Sequence, residues 1–257
     1  ILMGNEIVQY NLYENDNSVS SYPYRLQQDG LYLQTKLATE NGFLLSVAFH
    51  HLWIDTKTWT ANAYSFYAQS FDSLPVIQYQ ISESELQLRN SVYSVSVSKP
   101  FLNFVPGIEA SWSDLNFEEQ YQVGGKLYWY PKGNLDAYLG AEFILTGTKQ
   151  EENPVFYFVA GAKIFNPVWL EGSITAGQMR NYNEANGYVI HNSGDVTNFR
   201  VGSNLFVALS ERFNFVGRYR FMKNETERIN LHPNGFINIQ TLTYHNHSII
   251  GGIQWKF

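Results

Sequence analysis

Residues 235–257 read GFINIQTLTYHNHSIIGGIQWKF, and their alternation sets the reading of the whole chain. From His245 the odd positions are His245, His247, Ile249, Gly251, Ile253, Trp255 and Phe257. The even positions are Asn246, Ser248, Ile250, Gly252, Gln254 and Lys256. A period of two puts one set on each face of a strand, one face apolar and the other polar.

The same period recurs upstream. Residues 43–53 place Phe43, Leu45, Val47, Phe49, His51 and Trp53 on one side, after Asn41-Gly42, a strong hairpin signal. Residues 102–112 oppose Leu102, Phe104, Ile108, Ala110 and Trp112 to Asn103, Gly107, Glu109 and Ser111, with an irregularity expected at Pro106. Residues 120–130, 135–145, 155–165, 169–179, 199–209 and 213–222 continue the series, as do 6–13, 31–39 and 85–98. Residues 14–30, 180–197 and 223–234 read as polar connections. Residues 55–84 read either as a long loop or as a further hairpin turning near 72–75.

Strands of ten to fourteen residues match the ~9–11 that cross a bilayer at a tilt and exceed the usual ~5–6 of globular sheets. Short turns at 41–42, 99–100, 131–134, 166–167 and 210–212 alternate with longer connections, and tryptophans gather at strand ends. The ending with Trp255 and Phe257 on one face resembles the C-terminal strand of bacterial outer-membrane β-barrels. In that class a terminal Phe serves as an assembly signal. The resemblance implies an all-β, antiparallel up-and-down transmembrane β-barrel in the bacterial outer membrane. About 12 strands are expected, or 14 if residues 55–84 hold a full hairpin. Residues 1–257 would form a single domain, with an even strand count bringing both termini to the periplasmic side. No leader pattern opens the sequence, so an exported chain would be numbered from its mature start.

Composition limits the task. The 257 residues carry no Cys, which removes disulfides and thiolate metal sites, and a net charge of -6 argues against binding a nucleic-acid backbone. A mean hydropathy of -0.26 is compatible with a barrel, whose lipid-facing residues are only every second one. On the polar face Lys36, Glu109, Lys126, Asp136, Glu142, Glu171, Arg200, Arg218 and Arg220 are the expected lumen wall. A wall of both signs implies a porin-like channel for small polar solutes. The alternative is a closed barrel filled by its own ion pairs, acting as an accessory subunit of a larger outer-membrane assembly.

A third reading rests on His191-Asn192-Ser193, which is similar to the His-x-Ser pair of outer-membrane phospholipase A. The resemblance implies that His191 activates Ser193 toward an ester. The family's Asn-Gly continuation is Gly194-Asp195 here, and an enzymatic role is not favoured. His245 and His247 share a strand face but lack a third ligand, so no metal site and no cofactor are expected. Residues 58–71 are aromatic and nearly uncharged, and read as a hairpin or as a segment folded into the lumen. Expected partners are outer-membrane lipid and lipopolysaccharide, the barrel-assembly machinery through the last strand, and other outer-membrane proteins.

Overall fold

In a computed structural model the described backbone covers residues 5–6, 21–66, 76–184, 186–191, 195–231 and 237–255. The strands are β1 (Asn5–Glu6), β2 (Ser21–Ala38), β3 (Leu44–Phe66), β4 (Val76–Ser98), β5 (Phe104–Leu115), β6 (Glu118–Trp129) and β7 (Ala137–Gly147). They continue as β8 (Glu152–Phe165), β9 (Val168–Met179), β10 (Tyr182–Glu184), β11 (Val189–His191), β12 (Val196–Ala208), β13 (Phe213–Leu231) and β14 (Ile237–Trp255). Eleven long strands and the two-residue β1 lie in one sheet in chain order, broken only where β12 follows β9. The omitted pair, β10 and β11, forms its own hairpin. The sheet is an antiparallel meander; among the described residues its pairing is open, with β1 and β14 as its ends.

Several sequence expectations are corrected. Within residues 55–84 the described stretches 55–66 and 76–84 are continuations of β3 and β4, which run to 23 residues each, so among the described residues no additional strands arise there. Their turn near 72–75 lies outside the described residues, as does most of the strand expected at 6–13. The polar stretch 14–30 already belongs to β2 from Ser21. No bulge forms at Pro106, where the β5–β6 ladder runs unbroken from Phe104–Trp129 to Leu115–Glu118. The Pro106 carbonyl accepts from Lys99 N, so the missing N–H faces β4, whose ladder has already ended at Ser98–Gly107. At the first hairpin only Gly42 has positive φ, with its N–H bonded to the Thr39 carbonyl. At Asn116-Phe117 both residues are left-handed, which makes a tight turn and lengthens β5 and β6 toward it.

The chain divides into two compact units. The smaller comprises Ile1–Leu31, His51–Asn90 and Glu227–Gln240. Within it Leu52, Ile54 and Asn90 are buried, Lys57 pairs with Glu85, and Arg89 lies 3.6 Å from Asp55. The larger comprises Tyr32–His50, Ser91–Thr226 and Thr241–Phe257.

In the larger unit the alternation inverts the usual globular arrangement. On β5 to β9 the apolar positions Ile108, Val123, Leu127, Leu139, Phe143, Phe158 and Ile174 are exposed. The intervening positions Ser113, Gln120, Gln122, Thr146 and Thr175 are buried. Antiparallel register keeps the two sets in continuous bands: Ile108 pairs with Gly125, Leu127 with Ala141, Phe158 with Ile174. The buried apolar cluster is small, made by Ile144, Val155, Met179 and Tyr182 where β10 meets the sheet. Aromatic rings replace a core elsewhere: Tyr128 covers Gly140 and Tyr138 covers Gly161, so closely that an added Cβ would fall 2.5 Å and 2.4 Å from ring atoms.

Candidate functional site: the polar strand face and its hairpin

The polar face of the larger unit is hydrogen-bonded side chain to side chain. Lys126 Nζ donates to Glu109 Oε2 at 2.7 Å, and the Tyr128 hydroxyl to Glu142 Oε1 at 2.6 Å. The Tyr138 hydroxyl donates to Glu171, whose Oε1 also accepts from Asn204 Nδ2 at 2.5 Å. Asn204 in turn accepts from Arg218 Nε at 3.0 Å. Glu109, Glu142 and Glu171 are thus each held by a neutral or cationic donor, as partly buried carboxylates require.

A hairpin from residues 180–197 lies against this face. Asn186 and Gly187 both have positive φ (58° and 75°), the backbone that a two-residue hairpin turn needs and that Asn-Gly supplies at least cost. Tyr182 pairs with His191, Asn183 with Ile190 and Glu184 with Val189. The hairpin reaches several strands: Asn183 N donates to Gln122 Oε1 at 3.1 Å, and Ser111 Oγ to Asn183 Oδ1 at 3.2 Å. Ser94 Oγ donates to the Asn186 carbonyl at 2.7 Å, and His50 Nδ1 to the Gly187 carbonyl at 2.8 Å. Asn181 Nδ2 binds Glu118 Oε2 at 2.9 Å. Tyr188 meets the Tyr32 ring edge-on at 5.0 Å.

Glu184 is the hairpin's charged contact. It forms an ion pair with Arg200 of β12, whose Nη2 also donates to Thr175 Oγ1 at 2.8 Å and whose Nη1 lies 3.0 Å from His191 Nε2. Burial pushes the Glu184 carboxyl up, but its contact with His191 and the Arg200 charge outweigh this and hold it down at about 2. Burial, reinforced by the Glu184 charge, pushes the Tyr182 hydroxyl up, so it stays protonated. Between hairpin and sheet remains a cavity of about 10 Å³, lined by Ser94, Glu109, Ser111, Gln122, Asn183 and Glu184 among others. That is room for one water.

Of the residues expected from sequence to form a charged wall, Glu109, Lys126, Glu142, Glu171, Arg200, Arg218 and Arg220 share the polar strand face. Lys36 is on that face of β2 but exposed. Asp136 lies just before β7, in a turn where its backbone N–H donates to Asn134 Oδ1. Sequence reading omitted Glu184 and the whole hairpin, although Asn186-Gly187 carries the same turn signal as Asn41-Gly42.

His191 lies at the end of β11 against Arg200 and Glu184, and Ser193 is outside the described residues. His245 and His247 are exposed on β14 and pack on Phe221, His247 also bonding the Tyr219 hydroxyl at 3.0 Å. Trp255 stacks on Phe213 at 5.9 Å, and Phe257 is outside the described residues. Comparison with protein-family models, with curated proteins and with solved structures finds no match.

Proposed function

We propose that this chain is an integral outer-membrane β-barrel that passes small polar solutes through a lumen narrowed by the β10–β11 hairpin. One observation carries the reading: within the larger unit the apolar strand face is exposed and the polar face buried. In water a continuous band of exposed apolar side chains would drive association. In a bilayer the same face is solvated by lipid, and closure of the sheet leaves no strand edge unpaired. The polar band then lines the lumen, and Glu109–Lys126, Glu142, Glu171, Arg218 and Arg220 select what enters. Single-channel conductance in a planar bilayer tests this. Discrete steps whose ion selectivity changes in Arg218→Ala are expected; a folded, silent barrel would sink the channel reading.

A second reading, a closed barrel acting as a subunit of a larger outer-membrane assembly, is favoured by the same hairpin. Its hydrogen bonds reach β3, β4, β5 and β6, and the space beneath it holds only about 10 Å³. A partner that survives purification in mild detergent, together with absent conductance, would decide for it.

A further inference from the structure

Of Arg200, Arg218 and Arg220 on the polar face, the first two are matched and Arg220 is not. Glu109 answers Lys126, Glu184 answers Arg200, and Arg218 is held through Asn204 to Glu171. Arg220, half-buried on β13, has no hydrogen bond or ion pair among the described residues. The charges that bear on it are Arg200 and Arg218, both repulsive, and Glu184, whose carboxylate already sits against Arg200. Its cross-strand partner on β12 is Gly202, which offers no side chain, where Arg218 has Asn204.

The other neighbour, β14, brings no charge. Tyr219 and Phe221 meet His247 and His245 on one face of the β13–β14 pair, so Asn246 and Ser248 fall with Arg218 and Arg220 on the opposite one. Two guanidiniums at i and i+2, the Ser173 hydroxyl reaching over Gly202, and amide and hydroxyl groups on β14 form a site short of one negative charge.

We infer that Arg220, with Arg218, Asn246 and Ser248, is a binding site for a small oxyanion, a carboxylate or phosphate group. A planar guanidinium binds such groups through two parallel N–H donors. The protein itself shows that this wall accepts one, because the Glu184 carboxylate occupies the adjoining Arg200. An oxyanion at Arg220 would relieve the repulsion among the three arginines and would be the class of solute that the proposed lumen holds on its way through. The inference thus rests on the reading of this face as a water-filled passage.

The test is titration of the folded protein in detergent micelles with carbon-13 acetate and with inorganic phosphate, followed by NMR line broadening of the anion. Wild type is expected to broaden at least one of the two. Arg220→Gln should weaken binding by about tenfold or more, the loss of a charge-assisted contact. Arg220→Lys should fall between, keeping the charge but losing the fork. Arg212→Gln, in the exposed turn after Ser210, should bind like wild type. Hydrogen exchange of β13 confirms that each variant keeps its strand. Absence of broadening with both anions, or Arg220→Gln binding as wild type does, overturns the site. Conductance separates the two proposals: a conducting barrel without anion binding removes the site alone. Anion binding that Arg220→Gln abolishes in a silent barrel upholds the site and removes passage.

Discussion

The two faces of β5–β9 are built from the same backbone and obey opposite rules. On one, Val123 is 55% exposed and Phe158 54%; on the other, Val155 and Ser113 are 0% exposed. The exposed face is apolar and scarcely interacts with itself beyond ring pairs such as Phe143–Phe156. The buried face is polar and bonded residue to residue. On the proposed membrane reading, hidden hydrogen bonds and displayed hydrocarbon suit a solvent that cannot hydrogen-bond. The difference teaches where each face should be sensitive, and how.

The largest effect is expected on the buried face. Glu184→Gln leaves Arg200, 5% exposed, without its counter-charge. Breaking a buried pair costs ~3–5 kcal/mol, which should appear as lost hydrogen-exchange protection at Asn183 and Val189. Acid should do the same more gradually. A carboxyl ordinarily at 4.5 and held at about 2 contributes its stability above the higher value and loses it as pH falls through the lower. Hairpin protection should therefore hold from about pH 7 to about pH 5 and decline only below that; a loss near pH 6 would show that Glu184 is not its anchor.

Next comes the exposed face. Val123→Arg, in the middle of β6, should destabilise the protein in lipid vesicles by ~2–4 kcal/mol, read from denaturant unfolding. A surface in contact with water would tolerate it within about 0.5 kcal/mol. The smallest effect compares like with like. Gly161→Ala must displace the Tyr138 ring and with it the donor to Glu171, an overpacking cost of ~1–3 kcal/mol. Gly172→Ala, on the exposed face with nothing within 4 Å of an added Cβ, should change stability by no more than about 0.5 kcal/mol. Equal effects at the two glycines would erase the distinction between the faces.

Much of this was legible in the chain because side chains alternate along every uninterrupted stretch of strand. Within each strand the phase follows once one position is fixed, so Glu109, Lys126, Glu142 and Glu171 each fall opposite their apolar neighbours, whereas the register across the turns, with its shift at Lys163–Phe165, does not follow from the sequence. Length was harder. Nothing in residues 55–66 or 76–84 breaks a strand, yet aromatic, uncharged sequence reads equally as loop or strand without knowledge of its partner. The hairpin escaped for a different reason. Tyr182–Glu184 and Val189–His191 are too short to show a period, and they are held by Gln122, Ser111 and Ser94, which are remote in sequence, as well as by Arg200. At Asp136 the alternation runs on into a turn, whose side-chain hydrogen bonding to Asn134 the period does not reveal.

The hairpin's reach also orders the events of folding. His50 and Gly187 are 137 residues apart and Ser94 and Asn186 are 92, so these contacts close long loops of chain. The ladder from β5 to β9 closes by turns of a few residues, with a far smaller entropic penalty for each step. The hairpin has no docking surface until Gln122, Ser111 and Ser94 are aligned by that ladder. Its attachment is thus a late event, and the sheet's polar face stays open until the strands that flank it are already paired.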